Sequence, residues 1–458
     1  MQKVFKFLNR LYPIFLLIIL FIGFFLRTKA YLINQSFWHD ECALAWNIIN
    51  RSYKELFQPL RFLQSAPILF LIITKYLVEV FGKNEIVFRF IPYLSSILSL
   101  AGFYFLSKKT LKTNLSIIFA NLLFAVNLPL YYYSSEFKPY STDVLFCILS
   151  CLLFISLNKK VLILYSLILS SFIWFSFPAV FLLSAILFLV IFNKNYSIKE
   201  KIIYIIPHIV SGLLFCVTFF TKMFQFQKTG MISYWQNEFI SIKNIHTIFQ
   251  QAFNFMFNES LITIILSIIG LFIFIKNKEK FGTLTFTILS TVIIISSLHL
   301  YPFSGRLILF LIPIIILLIT KTFDSKKAKS LFFLGLCILS IYPQFSNTFN
   351  TIIKNNYNKN NPNPREMAKY LKNQINKEDI IYINTASNSD YLYYKQIYNI
   401  NNKYFIETPQ YIQKNNKVWF FLPNNANDTF ETIIKNNYII LYENKRKDNL
   451  LIYAEKLK

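Results

Sequence analysis

Between residues 11 and 347 one pattern repeats: apolar runs near the ~20 residues a helix needs to cross a bilayer, separated by short stretches that hold most of the charge. The runs fall at about 11–33, 86–107, 115–133, 141–158, 161–176, 178–193, 202–221, 259–275, 282–300, 305–320 and 330–347. Backbone polar groups inside a bilayer must be satisfied within their own segment, so runs of this length predict helices. Composition agrees: 55% of the 458 residues are hydrophobic and only 15% are charged, against roughly 25% charged in soluble domains. The chain reads as a polytopic α-helical membrane protein of about 11 transmembrane helices.

The formal net charge of +25 invites a nucleic-acid reading. The lysines, however, fall in short clusters between apolar runs, as in cytoplasmic loops beside anionic lipid, so nucleic acid is excluded as a partner. The N-terminal "MQKVFKFLNR" resembles the basic start of a signal peptide, but no small-x-small cleavage site follows it, and it reads as part of a retained first helix.

Orientation turns on one further apolar run, about 66–82, which is short, carries Lys75 and Glu79, and opens near Pro67. If it does not cross, "SKKTLK" (107–112), "NKK" (158–160), "NKNYSIKEK" (193–201), "KNKEK" (276–280) and "KTFDSKKAK" (321–329) all share one side with the basic N-terminus. If it crosses, all five flip. The run is therefore expected to lie on the outer surface as an amphipathic helix, with Lys75 and Glu79 facing water as an i,i+4 pair. A second juxtamembrane helix is expected at about 38–50. The N-terminus is then cytoplasmic and the C-terminus extracytoplasmic, in a bacterial-type inner membrane.

Residues 1–347 form the membrane domain on this reading, and 348–458 a small extracytoplasmic α/β domain. In the latter "NPREMAKYLKNQI" carries helix signals, with Asn363 as N-cap and Pro364 at the first helical position, and "DIIYINT", "KVWFFL" and "YIILY" carry strand signals.

The five cysteines suggest no disulfide framework, and the four histidines lack the spacing of a zinc site. Neither a phosphate-binding glycine loop nor a GxSxG nucleophile motif is present.

Three polar constellations fall on the expected outer face. In "SFWHDECALAW" the adjacent Asp40 and Glu41 cannot share a helix face, so one is expected to meet an acceptor and the other a cation. The alternative is a solvated helix N-terminus, capped by Ser36, where acids favour the dipole. In "YYYSSEFKPYSTD" a turn places Glu136, Lys138 and Tyr140 beside Asp143 in the first turn of the next helix. A charge facing lipid there costs roughly 2.5–3.5 kcal/mol, so the group either lines a cavity or forms an aromatic belt with a snorkelling lysine. In "HLYPFSGRLILFLIP" Arg306 follows Gly305 at a helix start, where its planar fork suits a lipid phosphate or simply snorkels. Arg89 is a similar residue, with Glu85 one turn before it as a partner.

Taken in order, the acid pair, "QSAPILF" with Gln64, "FGKNEIVFRFIP" with Arg89, "YYSSEFKPYSTDV" and "YPFSGRLILFLIP" resemble a membrane glycosyltransferase of family 39. That family has the GT-C fold and is related to protein O-mannosyltransferases and lipid A aminoarabinose transferases. The resemblance covers about 1–320. It implies that Asp40 and Glu41 are catalytic, with Asp40 as the base, that Glu136 in the second outer loop is a further catalytic carboxylate, and that Lys138, Tyr140, Arg306, Arg89, Gln64 and Asp143 bind substrate. It implies a polyprenyl-phosphate sugar donor, with transfer to a glycan, lipid or protein acceptor in contact with membrane lipid. Relatives differ in metal use, so a divalent ion, Mg or Mn, bridging Asp40 or Glu136 to phosphate stays open. Many relatives read His/Lys-Pro-Pro where this chain has Ser65-Ala66-Pro67, and some carry an Arg where it has Leu44. Both departures bear on donor and acceptor identity.

The chemistry stands beside the resemblance. A sugar leaves polyprenyl phosphate as an anion, which needs cations at headgroup depth, and the acceptor hydroxyl needs a carboxylate base. The rival is a transporter or lipid flippase, which predicts midplane charges, discontinuous helices and an internal repeat. No repeat is present in the sequence.

Overall fold

A long helix, α1 (Gln2–Ile33), takes the first apolar run and ends where Asn34 turns left-handed at φ 47°, a conformation asparagine tolerates. The computed structural model describes residues 2–218, 233–258, 261–325, 333–336, 338, 346, 363–384, 388–406, 417–423, 434, 438–445 and 449–456. After α1 come α2 (His39–Asn50), two 3₁₀ turns (Glu55–Phe57 and Arg61–Leu63), α3 (Ile68–Phe81) and the single turn α4 (Glu85–Phe88). The bundle continues with α5 (Phe90–Thr110), α6 (Asn114–Val126), α7 (Leu128–Tyr132), α8 (Tyr140–Ile155), α9 (Leu162–Ser171), α10 (Ala179–Phe192) and α11 (Ile198–Thr218). Then follow α12 (Ile245–Phe257), α13 (Leu261–Lys276), α14 (Lys280–Ser297) and a 3₁₀ segment, Gly305–Leu311, that runs into α15 (Ile312–Lys321).

The core of the bundle is α15, buried along its whole length. Close approach there depends on Gly270 of α13: a Cβ at that position would stand 1.9 Å from the Leu318 carbonyl oxygen, a separation only glycine permits. Around this pair α5 packs on α8 and α1 on α6.

Among the described residues four helices are long and apolar enough to span a membrane, and six if each bent pair counts as one. The other expected spans are shortened because 3₁₀ turns and prolines interrupt them, as at Phe172–Trp174 before Pro178 and at Gly305–Leu311 before Pro313. The expected span at 330–347 lies almost wholly outside the described residues.

One expected span, 115–133, is bent by 51° between α6 and α7. Arg27 of α1, buried in the bundle, donates to the carbonyls of Phe124 and Ala125, which α6 leaves free at its end. Asn127 caps α7 through Leu130 N and donates to Met256 O at 2.9 Å. The break is thereby filled by protein groups.

Three of the lysine-rich turns meet at the far end of α15. Lys321 bonds Glu279 at 3.0 Å and Asp324 at 3.2 Å, Asp324 accepts the N–H groups of Lys112 and Thr113, and Lys112 reaches Glu279 at 3.4 Å.

The run expected to lie on the surface is α3, and here one detail is corrected. Glu79 is open to solvent, but Lys75 is buried: its ammonium donates to Ile48 O at 3.2 Å while reaching Glu79 at 3.0 Å. The i,i+4 pair spans the edge of the α2–α3 contact, so only one of its members faces water.

In the tail Asn363 caps α16 (Pro364–Gln374) by accepting Glu366 N, and the three expected strands appear as β1 (Ile380–Ile383), β3 (Lys417–Pro423) and β4 (Tyr438–Lys445). Unpredicted are α17 (Asn388–Ile397), β2 (Tyr404–Ile406) and β5 (Asn449–Lys456). The sheet order is β2-β1-β3-β5-β4, parallel across β2, β1 and β3 and antiparallel thereafter. Strand alternation sends Ile381, Ile383, Trp419 and Phe421 to α16 and α17, and Tyr382, Phe420 and Leu422 to the other face. The boundary at 347/348 lies outside the described residues. Tyr393 and Tyr394 of α17 and Ala368 of α16 share a core with Phe37, Leu44 and Phe137, so the tail packs directly on α2.

Candidate active site

The acid pair opens α2, and its two carboxylates diverge as adjacent helical positions must. Glu41 turns inward. It accepts Arg89 Nε at 2.9 Å and Arg89 Nη2 at 2.6 Å, a two-pronged pair, and also the backbone N–H of Phe137 at 2.6 Å. Both side chains are almost completely buried, and the guanidinium lies over the Phe37 ring. Arg89 thus meets Glu41 and not Glu85, because Glu85 is held by Arg365 and Tyr394 of the tail. Ser36 does not cap α2 either: its hydroxyl faces Tyr394 and Arg365 N, and Trp38 occupies the N-cap position.

Asp40 turns the other way, toward the cations. Arg306 Nη2 donates to Asp40 Oδ2 at 3.0 Å, and Lys138 Nζ lies 3.9 Å from the same oxygen. Gln64 bridges the two, its Nε2 donating to Asp40 Oδ1 at 3.4 Å and its Oε1 accepting from Lys138 Nζ. To aim Gln64 this way the chain places two consecutive non-glycine residues, Phe62 and Leu63, at φ 62° and 52°. Strain of that kind costs of order 1–3 kcal/mol per residue and persists where the surroundings enforce it. The enforcing group is buried Asn47, which accepts Arg61 N at 2.9 Å and donates to Arg61 O at 3.2 Å.

Arg306 stands at the start of the 3₁₀ segment because Gly305 adopts φ +43°. Its guanidinium is sandwiched near the rings of Trp38 (5.2 Å) and Tyr140 (5.8 Å), contacts that fix its plane. Tyr140 opens α8 and packs edge-on against Tyr133. Asp143 lies one turn deeper in α8, buried and away from the Asp40 contacts.

Electrostatics set the two remaining acids apart. Burial alone would raise Asp40, but the Lys138 ammonium and the Arg306 guanidinium overcome it and hold the carboxyl below its usual range. Burial, and then the nearby Glu41 carboxylate, push Glu136 on the turn up to about 8. Its Oε1 is buried with no hydrogen-bond partner among the described residues. Burial also lowers Lys138, with Asp40 opposing. With Glu136 neutral and Glu41 matched by Arg89, two cations face the single charge of Asp40. The cluster therefore carries surplus positive charge, the condition for receiving an anion.

The structure thus gathers Asp40, Gln64, Lys138, Tyr140 and Arg306, with Glu136 in the same electrostatic group, and places Glu41 and Arg89 immediately behind them. Trp38 joins the candidate site through its stacking on Arg306, a role its sequence position two residues before Asp40 only hinted at. No group of three or more His, Cys, Asp or Glu side chains capable of holding a metal occurs among the described residues, and both Asp40 oxygens are engaged by nitrogen donors.

Residues 65–223 match the family described as dolichyl-phosphate-mannose-protein mannosyltransferase. The whole chain superposes on the crystal structure of ArnT from Cupriavidus metallidurans bound to undecaprenyl phosphate, with TM-score 0.57, 10% identity, and coverage of 96% of this chain and 97% of that one. It also superposes on the Archaeoglobus fulgidus oligosaccharyltransferase in complex with zinc and sulfate, with TM-score 0.51, 10% identity, and coverage of 91% and 69%. No curated protein matches by sequence. At this identity the structural likeness establishes the fold. Together with the family match over 65–223 it makes the chain similar to membrane glycosyltransferases of the GT-C fold, as its motifs implied.

Proposed function

We propose that this protein transfers a sugar, a hexose or pentose, from a polyprenyl-phosphate donor to an acceptor hydroxyl on a glycan, lipid or protein at the extracytoplasmic face. The observation that carries the reading is the convergence of Arg306 and Lys138 on Asp40. Cations of this kind are what a phosphate leaving group requires, and a carboxylate beside them is what an attacking hydroxyl requires. The ArnT structure holding undecaprenyl phosphate in the same fold supports that donor class.

In the proposed reaction the donor phosphate takes the cations from Asp40, and Asp40, released, accepts the proton of the acceptor hydroxyl. The acceptor oxygen forms its bond to the anomeric carbon as the bond to the phosphate oxygen breaks, and polyprenyl phosphate leaves with the electron pair, stabilised by Arg306 and Lys138. A single displacement inverts the anomeric centre. Glu136, protonated below about pH 8, donates its carboxyl proton to a phosphate oxygen or accepts a substrate hydroxyl. Glu41 and Arg89 act as positioning residues, since their charges are spent on one another and on Phe137. Gln64 sets the spacing of Asp40 and Lys138, Tyr140 steadies Arg306, and Asp143 is a candidate donor contact one turn deeper.

The topology proposed with this reading has eleven spans, a cytoplasmic N-terminus, and α2, α3 and the tail on the outer face. Convergence of Lys112, Glu279 and Lys321 supports a shared side for their turns. The rival transporter reading would draw on the broken α6–α7 pair, but Arg27 and Asn127 already occupy the groups freed there. Release of undecaprenyl phosphate from radiolabelled undecaprenyl-phosphate mannose by purified protein, with the sugar recovered on an acceptor, tests the reading. Lipid scrambling in proteoliposomes without any sugar transfer would sustain the rival.

A further inference from the structure

The segment that carries Asp40 is held from two sides, and one of the two hands belongs to the tail. Between α1 and α2 residues 34–37 run without helix, so their backbone groups need outside partners. From the membrane domain Arg89 Nη1 donates to Gln35 O. From α16, Arg365 Nη2 donates to that same carbonyl at 2.8 Å and to Asn34 O at 2.7 Å, while its backbone N–H donates to Ser36 Oγ at 3.1 Å. The Arg365 guanidinium is locked in turn by a two-pronged pair with Glu85. From α17, the Tyr394 hydroxyl accepts Phe37 N at 3.0 Å, meets Ser36 Oγ at 3.1 Å and donates to Glu85 Oε1 at 2.7 Å. A third contact reaches the residue beside the acid: His39 Nδ1 lies 3.1 Å from Asp390 Oδ1 and 2.9 Å from Ser389 Oγ.

These are not the contacts of a domain that merely rests on a bundle. Tyr394 is fully buried, and its hydroxyl joins three groups from two parts of the membrane domain at one point. The N-cap residue of α2, Trp38, makes no side-chain cap bond, and the long contact of its N–H with Glu41 Oε2, 3.4 Å, comes from within the helix, so the bonds to 34–37 are what tie the helix start to its surroundings.

We infer that Arg365 and Tyr394 are positioning residues for the transfer reaction, which makes the C-terminal domain part of the active-site scaffold: it fixes the 34–37 segment and so the aim of Asp40. The inference rests on the proposed role of Asp40. A displacement of about 1 Å in a reacting group can cost about 10²-fold in rate. Loosening this segment should therefore reduce turnover without weakening donor affinity, because Arg306 and Lys138 are carried by other elements.

The test uses the full-length protein in nanodiscs and the variants Tyr394→Phe and Arg365→Gln, with Arg365→Lys as the conservative rescue. Gln396→Ala is the control, since it removes the exposed Asn50–Gln396 bonds that also join α17 to α2 but leaves 34–37 untouched. Hydrogen–deuterium exchange of the peptide covering 34–42 and turnover of undecaprenyl-phosphate mannose are read together, with undecaprenyl phosphate as the binding probe. The expected result is faster exchange confined to 34–42 and turnover reduced about 10- to 100-fold with no loss of probe affinity in the first two variants. Partial recovery is expected in Arg365→Lys and wild-type behaviour in Gln396→Ala. Unchanged exchange at 34–42 overturns the inference whatever the reaction, and so does faster exchange with undiminished turnover. If wild-type protein consumes no sugar donor while exchange at 34–42 still rises in the variants, the anchoring stands and the transferase reading falls.

Discussion

Asp40 and Arg306, 266 positions apart in the chain, meet at 3.0 Å, so the proposed base is paired with the cation its substrate needs. The geometry therefore makes Asp40 and a donor phosphate competitors for Arg306 and Lys138. Asp40→Asn removes the competing charge and keeps the shape, and it should bind undecaprenyl phosphate about tenfold tighter or more, since a charge-assisted bond is worth about 1.5–3 kcal/mol. Binding titrations with the detergent-purified protein check this. Equal or weaker binding by the variant would show that the cations do not serve the phosphate.

Glu41→Gln should behave as a folding lesion rather than a rate lesion. It leaves Arg89 buried without its counter-charge and weakens the anchor of Phe137 N, and breaking a buried pair in this way costs about 3–5 kcal/mol. Thermal unfolding followed by monodispersity should report a large loss, with the surviving folded fraction keeping much of its turnover per molecule.

The pH profile should be bounded by two carboxyls moved in opposite directions. Asp40 lies below its usual range, so it stays ionised, and competent as a base, until the pH falls below that of an ordinary carboxyl. Glu136 titrates near 8. As pH rises through that value a third carboxylate charge appears beside Glu41 and Asp40, and donor affinity should fall. Glu136→Gln should lack this alkaline limb. The same shift has a stability sign: the folded state holds the proton more tightly than the unfolded state, so the contribution is full below about 4.5 and is lost as pH rises through about 8. Denaturation midpoints across that window, compared between wild type and Glu136→Gln, measure it.

Topology is open to a direct check. A reporter fused within 108–113 should read cytoplasmic, and one within 83–85 or after Lys458 extracytoplasmic. An extracytoplasmic signal from 108–113 would mean that α3 crosses the membrane and would remove the outer-face site.

The site was legible where cost speaks in sequence. Two adjacent acids cannot share a helix face, and Glu136, Lys138 and Arg306 between apolar helices are too expensive to leave facing lipid. Gln64 was legible only through its motif, because nothing in "RFLQ" announces two consecutive left-handed residues. Lys75 looked like half of a solvated pair, and pattern alone does not say which half lies under a neighbouring helix. Arg27 vanished inside an apolar run, and the partnership of Arg365 with Glu85, 280 positions away, has no local signature. Contacts of that separation are set by how the tail docks, which periodicity does not encode.

The most direct measurement is single-turnover transfer by Asp40→Asn with donor saturating. Asn preserves the shape and one oxygen but accepts no proton at neutral pH, and general-base catalysis contributes about 10²–10⁴-fold. The account predicts a fall of at least about 10²-fold with expression, membrane insertion and donor binding retained. Near-wild-type turnover in Asp40→Asn, with Glu136→Gln inactive, would contradict it and place the base on the turn between α7 and α8.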